Sequence, residues 1–117
     1  MFAFAVAVFG IQAKSNGQPE MLIAFNAAQL ELPEGISIDK PGNLYVSLGP
    51  PGFVGGGYGA LWKISPDGSE VTELVEYPAG PAPAGVVVDA SGNVYFALPD
   101  PGGTMGGVYH VSDDGST

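Results

Sequence analysis

Residues 34–47 read Glu-Gly-Ile-Ser-Ile-Asp-Lys-Pro-Gly-Asn-Leu-Tyr-Val-Ser, and residues 84–97 read Ala-Gly-Val-Val-Val-Asp-Ala-Ser-Gly-Asn-Val-Tyr-Phe-Ala. Gly35, Asp39, Gly42, Asn43 and Tyr45 thus return, fifty positions on, as Gly85, Asp89, Gly92, Asn93 and Tyr95. The apolar positions between them exchange one β-branched or aliphatic residue for another. A repeat of this period, built of short strands, points to a propeller or a related array.

Composition agrees with an all-β chain of one-domain length. Gly (19) and Pro (11) make up about a quarter of the 117 residues, but 45% are apolar and only 13% charged. That is too hydrophobic for a solvated coil. Gly and Pro spaced between β-branched runs instead mean many tight turns. The formal net charge is −9, the only cations besides His110 being Lys14, Lys40 and Lys63. Such a balance argues against binding a nucleic-acid backbone, which needs clustered cations. It is compatible with a hard metal cation, although solubility alone accounts for it. With no cysteine there is neither a disulfide framework nor a thiolate metal site.

Residues 1–18 form an apolar N-terminal segment and a polar linker. The uncharged run 1–13 has the length of a secretory h-region, with Ala13 before a cleavage point, which implies a secreted or periplasmic protein; otherwise the location is cytoplasmic. The competing reading is a strand, because Phe2, Phe4, Val6 and Val8 alternate with small residues. The run is too short to span a membrane, which takes about 20 apolar residues. Residues 19–117 then read as a partial propeller: a strand at 21–25, a blade over 34–77 and an incomplete blade over 84–117. The first blade has strands at 35–38, 44–48, 61–64 and 71–77, the second at 85–88, 94–98 and 108–111. Asp39–Asn43 is a hairpin turn in which the Asp39 carboxylate accepts backbone N–H bonds and Gly42 takes a positive φ, and Ser65–Ser69 is one in which Pro66 presets φ and Gly68 takes the left-handed position. Asp89–Asn93 and 113–116 repeat them. Val71 and Val75 mark the fourth strand as an outer, half-wet one. The runs Ile36–Ile38 and Val86–Val88 suit strands covered on both faces.

Leu32 to Ser47 followed by Trp62-Lys-Ile-Ser-Pro-Asp-Gly-Ser69 resembles the blades of gluconolactonase/senescence-marker-protein (regucalcin-like) propellers. The resemblance covers residues 19–117, and repeats of the NHL type look similar. It implies about two four-stranded antiparallel blades of a six-bladed β-propeller, an incomplete ring. It also implies a divalent metal, calcium, in the central channel and hydrolysis of sugar lactones or esters, with the cation polarising the carbonyl and orienting water. The family's first metal ligand is a Glu directly before a Gly at the start of an innermost strand, and Glu34-Gly35 stands at that place. The family usually continues Glu-Gly-Pro, where this chain has Ile36. The fragment alone is expected to be inactive, and no catalytic base is assigned.

The other candidates read more plainly. Asp39 and Asp89 suit turns, Asp100 a loop, and His110 an open sheet face. Trp62 and Tyr109 take matching places and suit packing between blades. The glycine-rich stretch 55–59 has neither the helix nor the Lys-Ser/Thr pair of a phosphate loop. The expected partners are a small lactone, ester or sugar and either the remaining blades of a longer chain or further copies that close the ring. A non-enzymatic NHL-like propeller binding a protein or carbohydrate at its loop face is the alternative.

Overall fold

A computed structural model describes residues 18–49 and 58–114. Seven strands follow in chain order: β1 (Pro33–Ile38), β2 (Leu44–Leu48), β3 (Gly59–Ile64), β4 (Val71–Tyr77), β5 (Gly85–Val88), β6 (Val94–Leu98) and β7 (Gly107–Val111). They form two antiparallel meanders, β1-β2-β3-β4 and β5-β6-β7. The all-β reading and the division at the connector 78–84 therefore hold. The expectations for residues 1–13, for most of the glycine-rich stretch 55–59 and for the end of the turn 113–116 lie outside the described residues.

One correction concerns a strand. Residues 21–25 belong to neither sheet; they lie as an extended segment on the first one, where Ile23 and Phe25 pack with Val46, Leu48 and Ile64. β4 is the outer, half-wet strand expected, at the edge of its sheet with Val71 44% exposed, and its buried residue is Leu74. A bulge explains the latter: Leu61 pairs with Val75 and Trp62 with Glu73, so Leu74 is an extra residue and turns inward.

The hairpin turns follow from local chemistry. Gly42 and Gly92 have φ of 104° and 88°, values that a side chain disfavours. Asp39 Oδ1 accepts from the backbone N–H of Gly42 (3.0 Å) and of Asn43 (2.7 Å). Asp89 Oδ1 does the same for Ser91 (3.0 Å) and Asn93 (2.8 Å). These bonds fix the register in which Ile36 faces Val46 and Val86 faces Phe96.

Each sheet then has two faces. We call leading the face with Ile36, Ile38, Leu44, Val46 and Leu48, whose counterparts are Val86, Val88, Val94, Phe96 and Leu98. The trailing face carries Gly35, Ser37, Tyr45, Ser47 and Leu61, with counterparts Gly85, Val87, Tyr95, Ala97 and Val108. The trailing face of the first sheet packs on the leading face of the second, joining Tyr45, Leu61 and Leu74 to Val86, Val94, Phe96, Leu98 and Val111 in one core. Tyr109 packs against this core and stacks on Phe96, its cross-strand neighbour in the same sheet, with ring centroids 5.4 Å apart. Coverage of both faces is not seen for the inner strands among the described residues: Ile36, Ile38 and Val87 are 65%, 60% and 61% exposed.

The sheets meet most closely between β1 and β5. A Cβ placed on Gly35 would lie 3.0 Å from the Ala84 carbonyl oxygen, 3.0 Å from Ser47 Oγ and 3.4 Å from Gly85 Cα. The same atom on Gly85 would meet nothing within 4 Å. Gly35→Ala is therefore expected to destabilise the chain by about 1–3 kcal/mol through overpacking. Gly85→Ala is expected to be neutral or stabilising by about 0.5 kcal/mol, from reduced backbone entropy in a strand. Urea unfolding of the dilute variants followed by circular dichroism checks both.

Candidate functional site

A meander puts its connections alternately at two ends, and the ends differ here. One end carries the short turns Asp39–Asn43, Ser65–Ser69 and Asp89–Asn93. The other carries longer segments, among them 26–32, 78–84 and 99–106. In the first of these, Asn26 Oδ1 caps the short 3-10 turn Ala27–Gln29 by accepting from Ala28 N–H. Longer connections on a fixed scaffold are where binding residues usually sit.

Glu34 lies at this longer-loop end. Pro33 pairs with Leu48 and Gly35 with Ser47, which leaves Glu34 as the extra residue of a bulge. Bulges of this kind turn a side chain out of the ladder, and the Glu34 side chain is exposed. It stands on the rim of an open groove of about 380 Å³ bounded by the segment 20–25 and by Ile36, Leu44, Val46 and Ile64. A calcium ion takes six to eight oxygen ligands. Among the described residues no group of three or more His, Cys, Asp or Glu side chains converges around a possible metal position.

The remaining candidates are occupied with structure. Asp39 Oδ2 accepts from Asn43 Nδ2 (3.0 Å) and from the Tyr45 hydroxyl (2.9 Å), in addition to its two backbone bonds. Burial pushes the Asp39 carboxyl up, but the bonds from Asn43, Tyr45 and Gly42 together outweigh it and hold the group below its ordinary value. Burial, followed by the bond to Asp39, raises the Tyr45 hydroxyl. Asp89, exposed, is lowered chiefly by the Asn93 side chain and backbone. In the third turn Ser69, through side chain and backbone, brings Asp67 down to about 2. Asp100 secures its own loop by accepting from Met105 N–H (3.0 Å). His110 is exposed on a sheet face against the ring of Tyr95, at a centroid distance of 5.1 Å.

One cluster escaped sequence reasoning. Trp62 Nε1 donates to the Tyr58 oxygen (3.1 Å) and to Glu73 Oε2 (3.2 Å), and the Tyr58 hydroxyl donates to the same carboxylate. Burial and the Glu73 bond push Tyr58 up to about 12. Phe25 lies against Trp62 at 5.6 Å, so Trp62 anchors the leading segment rather than the second sheet. The signal for this cluster is the Trp62–Glu73 pairing, which is visible only once the bulge in β4 is known. Neither a protein-family model nor a curated protein matches the sequence.

The Asp39–Tyr45 bond makes a pH-dependent prediction. A carboxyl held below its unfolded value contributes stability that is complete above the unfolded pKa of about 3.9 and is lost as pH falls through the lower folded value. Tyr45→Phe removes a hydrogen bond to a charged acceptor, and is expected to cost about 1.5–3 kcal/mol at neutral pH. The difference between wild type and Tyr45→Phe should shrink on acidification through that range. Urea unfolding of both proteins across a pH series measures it.

Proposed function

We propose that the chain supplies two blades of a propeller of the gluconolactonase/regucalcin kind, that the whole hydrolyses a lactone or ester bond in a small molecule, and that Glu34 is one carboxylate of its calcium site. The supporting observation is the placement of Glu34 in a bulge immediately before Gly35, at the longer-loop end of β1. β1 is also the strand that approaches β5, the corresponding strand of the second sheet, most closely. A carboxylate at the start of such a strand stands where the first strands of successive sheets converge. One carboxylate is too few for calcium, so on this reading the other oxygens come from further blades.

Calcium calorimetry on the full-length protein tests the metal assignment. Glu34→Gln is expected to weaken calcium binding at least tenfold, equivalent to about 1.4 kcal/mol. Unchanged affinity would remove Glu34 from the site. Acid release from a sugar lactone, followed at constant pH, tests the reaction; calcium binding without any such release would favour a non-enzymatic propeller that binds its ligand at the loop face.

A further inference from the structure

The strand end that carries Glu34 is tied down by one buried side chain. Before Glu34 the Gly49 N–H donates to the Leu32 carbonyl at 2.9 Å. After it, Gly35 pairs with Ser47 and donates its N–H to the Ser47 hydroxyl oxygen at 2.9 Å. That hydroxyl is fully buried and donates in turn to the Ala84 carbonyl oxygen at 3.3 Å. One hydroxyl thus fixes the residue next to Glu34 both within its own sheet and against the residue that leads into β5. The second copy of the repeat forms the same hairpin without it. Ala97 stands there in the place of Ser47 and Ala84 in the place of Glu34, and the strand end still closes, with the Ala84 N–H on the Ala97 carbonyl at 2.9 Å. The hairpin therefore does not require a hydroxyl at this position. The copy that has the carboxylate also has the hydroxyl, and the copy that lacks one lacks the other.

We propose that Ser47 is the positioning residue of the Glu34 carboxylate: it touches no ligand itself and sets where that carboxylate stands relative to the start of the second sheet. The inference rests on the reading of Glu34 as a calcium ligand. Glu34 suits that part because its side chain is exposed and no hydrogen bond among the described residues takes up its oxygens. Asp39, Asp67, Asp89 and Asp100, by contrast, are bonded to their own turns and loops. A carboxylate on a loose backbone must be ordered when it binds, which costs affinity. Fixing Gly35 through a buried hydroxyl removes part of that cost before the ion arrives. Groups that orient a metal ligand in this way are typically worth about 10–100-fold in metal affinity.

Terbium(III) tests this on the full-length protein, because it takes oxygen ligands as calcium does and its luminescence lifetime counts the waters bound to it. Ser47→Ala is expected to weaken terbium binding by about 10–100-fold and to add water to the bound ion in place of the displaced carboxylate. Ser47→Thr keeps the hydroxyl and is expected to restore both. With Glu34→Gln already in place, Ser47→Ala should weaken binding no further, since the two residues act as one unit. Circular dichroism checks folding; should Ser47→Ala not fold, Ser47→Cys, which fills the site but bonds weakly, replaces it. Unchanged binding and water count in Ser47→Ala overturn the proposal, as do losses that add in the double variant or a folded Ser47→Thr that binds as weakly as Ser47→Ala. In those cases Glu34 stays a ligand as long as Glu34→Gln alone weakens binding. A Glu34→Gln variant that binds terbium like the wild type removes the ligand reading and the proposal with it.

Discussion

The close approach of β1 to β5 is the constraint on which the rest of the arrangement depends. Gly35 donates its backbone N–H to Ser47 Oγ at 2.9 Å, and the Ser47 hydroxyl in turn reaches the Ala84 carbonyl oxygen at 3.3 Å. One fully buried hydroxyl therefore ties the first two strands to the connector that opens the second sheet. Burying a hydroxyl without partners would be costly, and here both its donor and its acceptor roles are used. The absence of a Cβ at Gly35 allows this proximity, which in turn brings Tyr45 and Leu61 onto Val86 and Phe96. Loss of that spacing would open the shared core.

The two copies of the repeat are the same in local structure and different in environment. Both turns are held by an Asp that accepts from backbone N–H groups and from an Asn side chain. Tyr45 is covered by the second sheet and donates to Asp39. Tyr95, on an open face, rests on His110 instead. Ser47 finds the Ala84 carbonyl across the interface, and its counterpart Ala97 is exposed. Neighbouring layers decide what an identical position does, as in other arrays of stacked units.

Much of the fold was legible because its determinants are short-range. The Asp/Gly/Asn turns close through bonds spanning two to four residues, so the strand boundaries around them came out nearly as observed. The backbone-bonding role read for Asp39 and Asp89 and the sheet-face reading of His110 were legible for the same reason. Glu34 could be singled out only by resemblance, since nothing in its neighbours announces a bulge. The Tyr58–Trp62–Glu73 cluster was not legible at all, because it depends on a register shift between β3 and β4.

By itself the sequence determined that the chain is all-β, that the first three strands of its meander recur in a second one and where the hairpins turn; these are properties of local backbone chemistry and of alternating side chains. Tertiary structure alone decided that Leu74 rather than Val75 fills the core of β4, that segment 21–25 lies across a sheet instead of joining one, and that Leu61 is buried while Val108 is bare. Burial is set by whatever second surface lies against a face, and that surface comes from residues far away in the chain. A repeated pattern specifies both faces of each sheet, but only packing determines which of them meet.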